Sequence, residues 1–170
     1  MAETAAPGGP YFGGELPEGA DFQIRKLYVK DVSFESPAAP QIFTRQWQPT
    51  IGMQLHTDAM RFTASEFEVT LTGTVTGKAD EETAFLAEVQ IAGIFTITGL
   101  ADDELGVLLG SYCPSVLFPY LREVVSDLSV RGGFPQVVLS PVNFDALLAA
   151  HLSEEGADSE AVDSAGQPAS

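Results

Sequence analysis

A chain of 170 residues, 45% of them hydrophobic, is long enough for one domain with a sizeable core and tails at either end, and short for two. Its 24 acidic residues outweigh 8 Lys and Arg for a net charge of −16, and all the bases lie between Arg25 and Arg131. Such a surface repels phosphate backbones, which argues against nucleic acid and anionic membrane and favours a basic partner. The single Cys113 has no intramolecular disulfide partner, as a reducing compartment, the cytosol, permits.

The leading stretch, residues 1–21, has no Lys or Arg and no continuous apolar run, so it reads as neither a signal peptide nor a membrane span. Its Gly, Pro and acidic content makes it a disordered N-terminal extension. Residues 22–35 read as a strand whose apolar phase shifts, with Phe22 and Ile24 on even positions, Leu27 and Val29 on odd, and Val32 and Phe34 on even again. Either a bulge flips the faces or both faces are covered in the middle. The strand exceeds the usual five or six residues, which points to a stretch reaching past its own sheet to another chain. Lys26, Lys30 and Asp31 would protect an exposed edge.

Residues 36–49 hold Pro37, Pro40 and Pro49 with Phe43 and Trp47, a long loop carrying large apolar side chains. Two readings stay open: the rings fold back as a lid on the core, or they form an aromatic rim for a ligand. Ile51, Met53 and Leu55 alternate with polar neighbours as a short strand. The least ambiguous stretch runs from Glu66 to Thr98. Phe67, Val69, Leu71 and Val75 on one arm and Phe85, Ala87, Val89, Ile91, Phe95 and Ile97 on the other are apolar at odd positions, which predicts a β-hairpin. Gly77, Lys78, Ala79 and Asp80 supply the turn. The even face of the second arm carries Leu86 and Ile94 beside Glu88, so it is expected to meet an oligomer partner, a helix laid across it, or another protein.

After the sheet the period changes. Asp102 or Asp103 caps a short helix through Leu109. Pro114 opens a longer one in which Leu117, Tyr120, Leu121, Val124, Val125 and Leu128 recur at helical spacing, ended by Gly132 and Gly133. Residues 134–139 form an extended connector. Ser140 and Pro141 then serve as N-cap and first turn of a last helix carrying Phe144, Leu147, Leu148, His151 and Leu152. From Ser153 to the end there are five acids and no base, an acidic tail (153–170) too poor in apolar residues to fold alone.

The stock for catalysis is thin: two histidines, His56 and His151, and one cysteine, with no phosphate-binding glycine loop and no clustered metal ligands. No enzyme activity, cofactor or metal is expected.

Three blocks, LYVKDVSFESPAAPQIF (27–43), ETAFLAEVQIAGIF (82–95) and YCPSVLFPYLREVVSDLSVRGGFPQVVLSPVNFDALL (112–148), resemble the SecB family of bacterial protein-export chaperones, in order and over nearly all of residues 22–152. The resemblance implies an α+β fold: a four-stranded antiparallel sheet with one long and one C-terminal helix, assembled as a homotetramer, a dimer of dimers. It implies an ATP-independent holdase that binds unfolded precursor proteins in the cytosol and passes them to SecA, without inserting in the membrane. Phe22, Phe34, Phe43, Trp47 and Phe85 are the candidate substrate-binding residues, because aromatic rings offer large contact area with few rotors to freeze. Carry-over from the family places SecA recognition on Asp31, Glu35, Leu86 and Glu88. The alternative is an oligomeric adaptor that binds one folded partner.

Overall fold

A computed structural model describes residues 16–164, and the expectations for residues 1–15 and 165–170 lie outside the described residues. Four strands form one antiparallel sheet: β1 (Asp21–Glu35), β2 (Thr50–Arg61), β3 (Glu66–Ala79) and β4 (Glu82–Thr98), in the spatial order β1-β4-β3-β2. The fold is thus the expected α+β arrangement, with β3 and β4 central. Their odd positions are buried, from Phe67 to Val75 and from Phe85 to Ile97, and this face receives the helices. The chain reverses two residues later than expected, at Asp80 and Glu81. Asp80 adopts φ +54°, which Asp tolerates better than most residues.

β1 resolves its phase shift with two irregularities, between Ile24 and Lys26 and between Val29 and Asp31. Each adds one residue opposite none on β4, so Phe22, Ile24, Leu27, Val29, Val32 and Phe34 all pair with odd positions of β4 and share the helix-facing side. The inference that β1 outruns its own sheet fails, because β4 is 17 residues long and pairs with it from Asp21↔Thr98 to Glu35↔Leu86. The strand predicted at 51–55 also runs further, to Arg61. Thr57 and Ala59 fill its helix-facing positions and are too weakly apolar to extend the alternation in sequence.

The helices form one nearly continuous rod and one appendage. α1 (Asp102–Val107) is capped at Ala101, not at an Asp: the Glu104 carboxylate accepts the Ala101 backbone N–H at 3.1 Å. It passes through a wide π turn, Leu108–Tyr112, into α2 (Cys113–Arg131) with no break in helical dihedrals. The π turn has a local cause. Pro114 carries no N–H for the next bond in the ladder, and the Cys113 N–H reaches back five residues to the Leu108 carbonyl instead. Leu117, Leu121 and Val125 of α2 bury against the sheet, and Leu121 rests over Gly73, where an added Cβ would lie 2.8 Å from its Cδ1. Tyr120, expected on the buried stripe, is half exposed instead.

α3 (Phe144–Ser164) starts later than predicted. Asn143 caps it, Oδ1 accepting the Ala146 N–H at 3.0 Å, while Ser140 and Pro141 stay in the connector. Phe144 packs edge-on against Phe118, and the Ser111 hydroxyl donates to Asp145 at 2.6 Å. The helix runs on to Ser164, so the acidic stretch expected to lack structure from Ser153 is helical backbone up to there. Residues 149–156 are all exposed, in keeping with a stretch that has no surface to bury.

Candidate functional site

Two surfaces carry the residues singled out from sequence. The first is a cleft of about 540 Å³ where the loop after β1 meets the end of α2, lined by Phe43, Arg45, Trp47, Pro49 and Phe134 among others. A short 3-10 turn, Gln41–Thr44, buries Ile42 and leaves Phe43 50% exposed. Trp47 is half-buried and its Nε1–H donates to the Ile42 carbonyl at 3.1 Å. The two rings differ: Trp47 packs half-buried against the core, Phe43 stands half exposed at the rim, and both line the cleft, while the buried plug of the loop is Ile42.

The centre of this cluster is a residue that sequence reasoning passed over. Phe134 lies 4.9 Å from Phe85, 5.2 Å from Phe43, 5.9 Å from Trp47 and 6.3 Å from Phe34, ring centre to ring centre. The α2 terminus sets its place. The Phe134 N–H donates to the Ser129 carbonyl at 3.0 Å and the Gly133 N–H to the Val130 carbonyl at 3.0 Å, with Gly133 at φ +87°. This double-bonded ending needs a left-handed residue at Gly133 and turns the next side chain back toward the sheet. The Gly132-Gly133-Phe134 run was the available signal.

Phe34 is half-buried and stacks on Phe85 at 5.8 Å. Phe85 itself is 1% exposed and does not face the cleft, which corrects its assignment as a contact residue. It sits at an odd position of β4, on the helix-facing side, and forms the floor beneath Phe34 and Phe134. Phe22 is not brought to the cleft. It stacks on Phe95 at 5.6 Å and meets Tyr112 edge-on at 5.3 Å, at the other end of β1, roughly 33 Å from Phe34 at a strand's ordinary rise over the span of β4 from Ile97 to Ala87.

The second surface is the even face of the sheet, opposite the face on which α2 packs among the described residues. Glu35 pairs directly with Leu86, Ser33 with Glu88 and Asp31 with Gln90, so all four residues expected to meet a partner lie together on adjacent strands. Asp31 and Glu35 are exposed, and Leu86 and Glu88 are half-buried. Among the described residues none of the three carboxylates is in an ion pair. Further along the same face, Glu68 takes the Lys30 ammonium as an ion-pair partner and accepts from the Thr70 hydroxyl at 3.3 Å. The hydrogen bond from Lys30 holds the Glu68 carboxyl below its ordinary range, and the same bond holds the Lys30 ammonium above its own.

A depressed carboxyl adds stability above its unfolded pKa and loses it as pH falls through the folded one. A raised ammonium adds stability below its unfolded pKa and loses it as pH rises through the folded one. Glu68→Gln is therefore expected to lower stability near neutral pH by less than about 1 kcal/mol, since the pair is partly exposed. The gap to wild type should close both in acid and in strong alkali, read from thermal midpoints across pH.

Residues 16–155 match the family model described as preprotein translocase subunit SecB. A protein-export protein SecB from Methylococcus capsulatus is 54% identical over 126 residues, covering 74% of this chain and 81% of that protein. One from Alcanivorax borkumensis is 54% identical over 129 residues, covering 74% and 82%. Among solved structures, a SecB-like chaperone of Mycobacterium tuberculosis, in complex with a ChAD peptide from the HigA1 antitoxin, superposes with a TM-score of 0.62 at 20% identity, over 71% of this chain and 90% of that one. With the family model spanning all four strands, α1 and α2, the chain belongs to the SecB family.

Proposed function

We propose that this protein is an ATP-independent holdase of the cytosol that binds unfolded precursor proteins through the aromatic cleft, keeps them competent for translocation and delivers them to SecA. The observation that carries the reading is the open cleft itself, with Phe43 half in solvent and Trp47 and Phe134 behind it. Burying one client aromatic gains only about 1.5–3 kcal/mol, so several weak sites must hold the same chain. A homotetramer, a dimer of dimers, supplies the copies. Its assembly is supported by the open edge of β1, where Ile24, Val29 and Val32 are exposed on the helix-facing side with Tyr120 of α2 also exposed. A second cavity of about 580 Å³, between β2 and α3 and lined by Leu55, Leu109, Phe144 and Leu148, offers further apolar wall. Release comes from competition by folding or by SecA, which is mass action on the unfolded state.

Light scattering of an aggregating, denatured protein tests this. Stoichiometric suppression without ATP is expected, whereas an adaptor for one folded partner would leave aggregation unchanged. For the partner surface, Glu88→Lys is expected to weaken SecA binding by about tenfold at low salt, with the difference shrinking as salt rises and assembly unaffected. Equal binding of wild type and variant at low salt would remove SecA from that face.

A further inference from the structure

The aromatic cleft has one charged lining residue, Arg45, and that residue is not alone. Its Nη2 forms an ion pair with the Glu82 carboxylate at the first position of β4. Lys78, Asp80, Glu81 and Glu82 are all charged residues of the β3–β4 turn region, and of these only Glu82 pairs with the loop. Both partners are about half exposed, 49% and 51%, so the contact lies at the mouth of the cleft and within reach of an incoming chain. The pair is not what holds the loop. Fully buried Ile42, the Trp47 indole bonded to the Ile42 carbonyl and the Ser36 hydroxyl, which donates to the Ala84 carbonyl at 3.1 Å, anchor it independently. A guanidinium has five N–H donors, and Glu82 engages one of its nitrogens, so donors remain for carbonyls or carboxylates of whatever enters.

Resting on the reading of the cleft as a client site, we propose that Arg45 and Glu82 are specificity-determining residues that together set which charges the cleft accepts beside a client's apolar side chains. Paired, they cancel, and the mouth adds little preference of its own. Without Glu82, an uncompensated cation stands at the mouth and favours acidic flanks. Without Arg45, an uncompensated anion favours basic ones. Two single substitutions that delete one charge each must then move client preference in opposite directions, which loss of a merely structural contact would not do.

The test measures, by calorimetry on the full chain, the affinity of one neutral aromatic-rich peptide and of the same peptide flanked by lysines or by glutamates. Glu82→Gln should shift the ratio of affinities toward the glutamate-flanked peptide by roughly two- to fivefold relative to wild type, and Arg45→Gln should shift it toward the lysine-flanked one by a similar factor. Both shifts should fade at molar salt. The exchanged double variant Arg45→Glu/Glu82→Arg should return the ratio to that of wild type. The proposal is overturned if both single variants move the ratio in the same direction, or if the ratio holds while the neutral peptide weakens in both. Wild-type protein that fails to bind even the neutral peptide overturns the cleft reading and this proposal with it. Normal binding of the neutral peptide with an unmoved ratio sinks this proposal alone.

Discussion

Phe134→Ala is expected to remove both stability and binding at once. The ring is 6% exposed and is held between four other aromatic side chains, so truncation opens a cavity that Phe85, buried in β4, Phe34, stacked on it, and Trp47, bonded to the Ile42 carbonyl, cannot close. Large-to-small changes at such sites cost about 3–5 kcal/mol. Phe34 and Phe85 would lose a neighbour, and Phe43 and Trp47 would lose the wall against which the cleft forms. Denaturant unfolding should show the midpoint falling with little change in slope. Peptide binding, measured where the variant is still folded, should fall further than the same test on Phe43→Ala. A variant that keeps wild-type affinity would mean that clients bind elsewhere.

Leu121→Ala is expected to be as damaging to stability and to leave binding largely intact. Leu121 is fully buried on α2 and occupies the hollow that Gly73 leaves in β3. Neither strand nor helix can move to refill the space, because Leu117 and Val125, on the turns either side, are themselves packed. A cost of about 2–5 kcal/mol follows. The reverse change, a side chain at Gly73, would collide with Leu121, so helix and sheet are fitted at this point from both directions. If Leu121→Ala unfolded at the wild-type denaturant midpoint, the packing described between α2 and β3 would be wrong.

The sheet was legible because its signal is local. Alternation in β3 and β4 names the buried face residue by residue, and the drifting phase of β1 announced its irregularities. Phe85 shows how that signal can be set aside at a cost. Its odd position already placed it with Val89 and Ile91 on the helix side, yet its aromatic ring and the family resemblance placed it on the binding surface. Arg45 was invisible for a different reason, and Phe134 showed only through the Gly132-Gly133 pair that precedes it. What makes Phe134 matter is a helix ending that reverses the chain; what makes Arg45 matter is an acid 37 residues away, which is not written in the spacing of nearby residues. Ser140 was a plausible cap by type, but Asn143 lies closer to the first apolar residue of the helix and takes the amide instead. On the partner surface, the four residues carried over from the family do converge, because the second irregularity in β1 keeps Asp31 and Glu35 on the side of Leu86 and Glu88.

The two borders of the sheet differ in what they can admit. β2 pairs with β3 from Thr50 to Arg61 without a slip, so its outer backbone groups follow the even ruler of an ordinary strand, and any extended segment matches that spacing. β1 is kinked twice, and its outer groups are out of step with a regular partner over most of its length. A single sheet thus has one permissive margin, at β2, and one fastidious one, at β1.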